Sequence, residues 1–207
     1  MTDAPFGPER RIVVGISGAS GIVYGVRLLE LLRAAGVQTH LVMSKSAEVT
    51  AAHELDLKLR DIRALATQCH SNQDVGASIA SGSFRTMGMI VAPCSVRSMS
   101  EIASGVTSGL LTRAADVVLK ERRRLVLLVR ETPLHLGHLR MLTQLAEMGG
   151  IIFPPLPAFY QRPGTIAELV NHTVGRILER FGLPCPGLVP EWSGTRPGRG
   201  GAAEDDE

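Results

Sequence analysis

The chain has 207 residues, of which 44% are apolar and 20% charged, with a formal net charge of +2. That length and balance suit one soluble domain with its own core, and exclude a disordered chain. So small a charge makes no electrostatic case for nucleic acid or an acidic membrane surface as partner.

Met1–Glu9 is short and polar and is expected to form a loose arm. Met1–Arg10 lacks the apolar stretch of a secretory leader, and no later apolar run reaches the ~18 residues of a membrane span. Cys69, Cys94 and Cys185 are odd in number and share no metal-ligand spacing, as expected of reduced thiols in a cytoplasmic protein.

Arg11–Ile16 is a β-branched run that predicts a first strand. Ile22–Ala35 follows with helical spacing through Val26, Leu29 and Leu32, and Gly36 suits a C-cap. Gln38–Met43 predicts the second strand. Met87–Ala92 predicts the third, stopped by Pro93, and the aliphatic Leu125–Val129 the fourth. Thr112–Glu121 and Leu136–Glu147 flank that fourth strand as helices. Gly150–Phe153 is a short last strand and Ile166–Phe181 a last long helix. Strand and helix alternate, so the expected fold is α/β: a doubly wound, mostly parallel sheet in a three-layer, Rossmann-like or flavodoxin-like architecture. Gly194–Glu207, rich in glycine and acid, cannot bury enough apolar surface to order itself.

The chemistry is expected beyond the carboxyl ends of the strands. Directly after the first strand comes Gly15-Ile16-Ser17-Gly18-Ala19-Ser20-Gly21, opening a helix. Glycines let a ligand approach the backbone, and the helix N-terminus offers free N–H groups and a positive dipole end to a phosphate. A tight turn packed with small residues would read the same way. A site for NAD would end the second strand on Asp or Glu. Here that strand ends Val42-Met43-Ser44-Lys45, which favours FMN, with its phosphate on Gly18–Gly21 and Ser44, and leaves NADP as a weaker option.

Three further loops share that edge. Pro93-Cys94-Ser95-Val96-Arg97-Ser98 could bind flavin or simply cap a helix. Arg130-Glu131-Thr132-Pro133 places a charged pair beside a buried strand, either as a structural ion pair or as a ligand-facing Arg with a catalytic Glu. Pro154–Tyr160 is a stiff loop able to present a hydroxyl. Arg113, Asp116 and Lys120 share one helical face, which periodicity alone reads as a solvated surface. His135 and His138 are expected to be structural.

Taken in order, Gly-Ile-Ser-Gly-Ala-Ser-Gly at 15–21, Met-Ser-Lys at 43–45, Pro-Cys-Ser at 93–95, Leu-Leu-Thr-Arg-Ala-Ala-Asp-Val-Val-Leu-Lys-Glu-Arg-Arg at 110–123, Val-Arg-Glu-Thr-Pro-Leu at 129–134 and Pro-Ala-Phe-Tyr at 157–160 resemble the UbiX-type flavin prenyltransferases. The B subunits of hydroxyarylic acid decarboxylase systems are similar. The resemblance spans residues 10–193, a single FMN-binding domain. It implies a metal-independent enzyme that joins the prenyl group of dimethylallyl monophosphate to N5 and C6 of reduced FMN. The product would serve a UbiD-type decarboxylase, and the assembly would be a homo-oligomer, commonly a dodecamer, with sites at subunit junctions.

Residue by residue, the resemblance implies catalytic roles for Ser20, Glu54 and Glu131. It implies FMN contacts from Gly18, Ala19, Ser20, Ser44, Ser95, Val96, Arg97, Ser98 and Arg130. Arg113, Lys120, Tyr160 and Arg176 would hold the prenyl phosphate, and Trp192 would close over it. Two other readings stay open: a non-catalytic FMN-binding accessory subunit, and a flavin-dependent cysteine decarboxylase of the same fold.

Overall fold

The computed structural model describes residues 10–183, 185 and 187–189. Six strands, β1 (Arg11–Ile16), β2 (Gln38–Met43), β3 (Gln68–His70), β4 (Gly88–Cys94), β5 (Arg124–Val129) and β6 (Gly150–Ile152), form one sheet in the order β3-β2-β1-β4-β5-β6. Every pairing is parallel, so the expected mostly parallel sheet is wholly parallel. Seven helices cover it: α1 (Ile22–Ala34), α2 (Lys45–Glu54), α3 (Leu59–Ala64), α4 (Val96–Ser104), α5 (Leu110–Lys120), α6 (Leu136–Glu147) and α7 (Ile166–Glu179). The expected doubly wound, three-layer α/β fold is what forms.

The period-2 alternation of the strands divides the core in two. Ile12, Val14 and Ile16 face one side and pack under α1 and α7, with Leu28, Leu29, Val174 and Ile177. Val13, Met89, Val91, Leu125 and Leu127 face the other and pack under α4, α5 and α6, with Met99, Leu111, Ala115 and Leu145. The chain winds outward from β1 in one direction and from β4 in the other. Their carboxyl ends therefore part and leave a crevice, the usual ligand position in such sheets.

Several boundaries differ from expectation. β4 continues through Pro93 to Cys94. The proline has no donor to lose there, and its carbonyl accepts the Ser17 N–H at 3.1 Å. α5 begins at Leu110, two residues early, because Asn72 supplies partners for its first amides: its backbone carbonyl accepts from Leu110 and its side-chain oxygen from Leu111. α2, α3 and β3 went unseen in the sequence. The expected arm Met1–Glu9 and tail Gly194–Glu207 lie outside the described residues.

Candidate active site at the carboxyl edge of the sheet

A cleft of about 490 Å³ opens where β1 and β4 diverge, within the usual size range of small-molecule sites. Three helices begin on it. Ser44, Lys45 and Ser46 come from the start of α2, Ser95, Val96, Arg97 and Ser98 from the start of α4, and Ser108, Gly109 and Leu111 from the start of α5. Helix N-termini carry unsatisfied N–H groups and partial positive charge, so their convergence makes an anion-binding wall without a metal. Ser44 Oγ accepts from the Ala47 N–H at 3.1 Å, and Ser95 Oγ from the Ser98 N–H at 3.3 Å. Both serines thus cap a helix and line the cleft, so the capping reading of the Ser95 loop holds and leaves its flavin reading open to proposal.

The floor is fastened by Ser17, which is fully buried. Its hydroxyl donates to the Pro93 carbonyl at 3.0 Å and accepts from the Ser95 N–H at 2.7 Å, tying the first turn to the β4 loop. Gly18 lets the first turn press against α2, because a Cβ there would lie 2.3 Å from the Ser46 Cβ. Beneath the cleft, burial pushes the Cys94 thiol up to about 12, which keeps it protonated and unreactive.

The start of α1 departs from expectation. Gly21, left-handed at φ 104°, is its N-cap. The Glu54 carboxylate accepts the Gly21 N–H at 2.9 and 3.1 Å and the Ile22 N–H at 2.9 Å. Burial raises the Glu54 pKa, but hydrogen bonds from Ser20, Ile22 and Gly21 and the Arg130 charge outweigh it, so the carboxyl sits below its ordinary range. The protein's own carboxylate thus fills the anion position at the end of Gly18–Gly21. Among the described residues, the termini of α2 and α4 line the cleft with no such internal anion on their first amides, and Gly18 stands at its margin.

This contact also brings Ser20, Glu54 and Arg130 together. Glu131 lines the cleft, and its carboxylate accepts the Thr132 N–H at 2.8 Å, so Arg130 and Glu131 are not the structural ion pair considered from sequence. Arg97 is held by Glu101 at 2.9 Å. Ala19 is nearly buried behind the turn. Lys45, read from sequence with Ser44 at the end of β2, also lines the cleft, as do Ser46 and Asn72, which were not picked out from sequence.

The remaining candidates are not gathered in one subunit. Arg113 and Lys120 lie on α5, over one face of the sheet, while Tyr160 precedes α7 and Arg176 lies on it, over the other. At about 1.5 Å rise per residue, Lys120 is carried well away from the cleft at the start of α5. Each has local company. Arg113 pairs with Asp116 at 2.8 Å, Lys120 with Glu121 at 2.7 Å and Arg176 with Glu179 at 3.0 Å, while Tyr160 meets the His172 ring edge-on. Trp192 lies outside the described residues. His135 is structural, as expected: it caps α6 by accepting the His138 N–H at 3.3 Å.

The family model described as Flavoprotein matches residues 7–177. The flavin prenyltransferase UbiX of Escherichia coli strain K12 is 56% identical over 188 residues, covering 90% of this chain and all of the relative. A crystal structure of AnUbiX (PadA1) in complex with FMN and dimethylallyl pyrophosphate superposes with a TM-score of 0.88 at 48% identity, covering 91% of this chain and all of that one. A dodecameric FMN-dependent Ubix-like decarboxylase from Escherichia coli O157:H7 gives 0.86 at 48% identity, covering 89% of this chain and all of that one.

Proposed function

The chain belongs to the Flavoprotein family, in its UbiX flavin prenyltransferase branch, and we propose how its own residues carry out that reaction. It is a flavin prenyltransferase that uses FMN. The observation that carries the residue assignment is the cleft built from three helix N-termini, with no carboxylate at the end of β2, with Glu131 on its lining and with Glu54 on the first amides of α1. That donor set fits the phosphate of FMN, held by the first turns of α2 and α4, with Arg130 on the flavin.

Bound reduced FMN supplies the nucleophile at N5. The prenyl C–O bond breaks as the C–N bond forms, and phosphate departs with the electron pair. Arg113, Lys120, Tyr160 and Arg176 stabilise the charge that develops on it. Ser20, fixed by Glu54, and Glu131 take up the proton lost from N5. A second bond, from the prenyl double bond to C6, closes the new ring; the other alkene carbon takes up a proton and C6 gives one up. The four phosphate ligands lie over both faces of one subunit, so more than one subunit must meet at each site. A homo-oligomer, a dodecamer like the Escherichia coli O157:H7 relative, supplies that meeting.

The donor is dimethylallyl monophosphate, although the AnUbiX (PadA1) structure holds the pyrophosphate. The product passes to a UbiD-type decarboxylase. No helix among the described residues is long and apolar enough to cross a membrane, and the three cysteines are free, which supports action in the cytoplasm.

Anaerobic incubation with reduced FMN and dimethylallyl monophosphate, followed by mass analysis of the released flavin, tests the proposal. A flavin heavier by one prenyl unit, with phosphate released, is the expected result. Unmodified flavin would leave the accessory-subunit reading standing, and turnover with pyrophosphate alone would correct the donor.

A further inference from the structure

Lys120 ends α5 at the sheet edge opposite the cleft, and it sits in a small ordered unit. Residues 80–84, Ala-Ser-Gly-Ser-Phe, run beside it. Arg123, only 17% exposed, fastens that run by donating to the Phe84 carbonyl at 2.7 Å and the Gly82 carbonyl at 2.5 Å. Arg113 donates to the Ala80 carbonyl at 3.3 Å. Glu121 is the first residue past the helix and lies between two cations, 2.7 Å from Lys120 Nζ and 4.0 Å from the Arg123 guanidinium. The Lys120 hydrogen bond and charge hold the Glu121 carboxyl below its ordinary range, so it is ionised at neutral pH. Gly82 leaves the room: a Cβ there would lie 2.1 Å from Glu121 Oε1 and 3.0 Å from Lys120 Nζ.

We infer that Glu121 is a positioning residue for Lys120, fixing where its ammonium meets the prenyl phosphate, and that Arg123 and the bare Gly82 backbone fix Glu121 in turn. The inference rests on Lys120 being a phosphate ligand. A lysine side chain has four flexible carbons, and ordering it only when substrate arrives weakens the grip. A carboxylate held by an anchored guanidinium orders the ammonium beforehand, so less freedom is lost on binding. Glycine at 82 serves this geometry rather than the fold, because the atoms its Cβ would strike are the movable ends of two side chains.

Gly82→Ala, Glu121→Ala, their double variant and Lys120→Ala are compared in the full-length protein by KM and kcat for dimethylallyl monophosphate, FMN affinity and Tm. Gly82→Ala and Glu121→Ala should each raise KM roughly tenfold, the scale of one weakened charge-assisted hydrogen bond, with FMN affinity unchanged. The double variant should be no worse than Glu121→Ala, because both changes act through one contact. An unchanged or lowered KM in Glu121→Ala, or losses that add in the double variant, would overturn the inference. If Lys120→Ala itself leaves KM unchanged, the phosphate role of Lys120 falls first. Should Gly82→Ala fold poorly, Glu121→Ala and its rescue by Glu121→Asp decide the matter.

Discussion

Around the cleft, Ser17, Ser44, Ser95 and Asn72 are locked to backbone amides of neighbouring loops and helices. On the flanks of the same subunit, the charges of Arg113, Lys120 and Arg176 are paired with residues one or three positions away, and Arg113 also donates to the Ala80 carbonyl. The first set is finished as soon as the chain folds, because the contacts that hold it are those that hold the fold. The second set is half-exposed and spread over two faces of the sheet, so one subunit alone does not gather it. On the proposed assignment, the flavin half of the site belongs to the subunit and the prenyl-phosphate half to the assembly.

Glu131 lines the cleft and is proposed as the base, so replacing it should have the largest effect. Glu131→Gln keeps size and polarity but removes the base, so single-turnover prenylation should slow by about 10²–10⁴-fold. FMN titration should be unchanged. Wild-type rates would make Glu131 structural and leave proton removal to Ser20.

Lys120→Ala and Arg176→Ala probe the assembled half. Each should weaken use of dimethylallyl monophosphate by about 1.5–3 kcal/mol, roughly 10- to 100-fold, while FMN affinity stays intact. Mixed oligomers of Lys120→Ala and Glu131→Gln subunits should recover part of the activity if neighbours share sites. Loss of FMN before loss of prenyl-phosphate use would break the division.

Ser44→Asp probes the finished half. Aspartate is as good an N-cap as serine, so α2 should survive, but its charge faces the flavin phosphate. Binding of FMN should weaken roughly tenfold or more, by like-charge repulsion in a partly shielded site. Equal affinity by fluorescence titration would move the phosphate elsewhere.

The smallest effect concerns pH and the fold beside the cleft. Burial, then the neighbouring His70 and Arg11, lowers the His40 pKa to about 4. Unfolded histidine titrates near 6.5. Between those values the unfolded chain binds the extra proton, so this contribution is intact above about pH 6.5 and lost as pH falls towards about 4. Tm measured over that window should fall, and less so in His40→Gln.

Much of the fold was legible because apolar runs announce buried strands: β1 and β2 fall where their β-branched residues predict. α2 was hidden because its buried face is only Ala47 and Ala51. β3 is a three-residue edge strand, Gln-Cys-His, with no alternation to read. In the site, residue type at a strand end exposed Ser44, Ser95 and Glu131. Ser17 and Asn72 act across gaps of 76 and 39 positions, so only the folded sheet brings their partners near. The prenyl-phosphate set was legible only through resemblance, since periodicity alone reads Arg113 and Lys120 as solvated surface.

The strand order of this sheet is that of nicotinamide dinucleotide proteins, in which a pyrophosphate rests on the first helix, although the glycines of its first turn fall at every third position. Glu54 puts a permanent negative charge on that seat. A diphosphate arriving there should meet repulsion instead of open amides, so NAD and NADP are expected to bind poorly. The start of the first helix is thus capped from within, and a mononucleotide is expected to enter beside it.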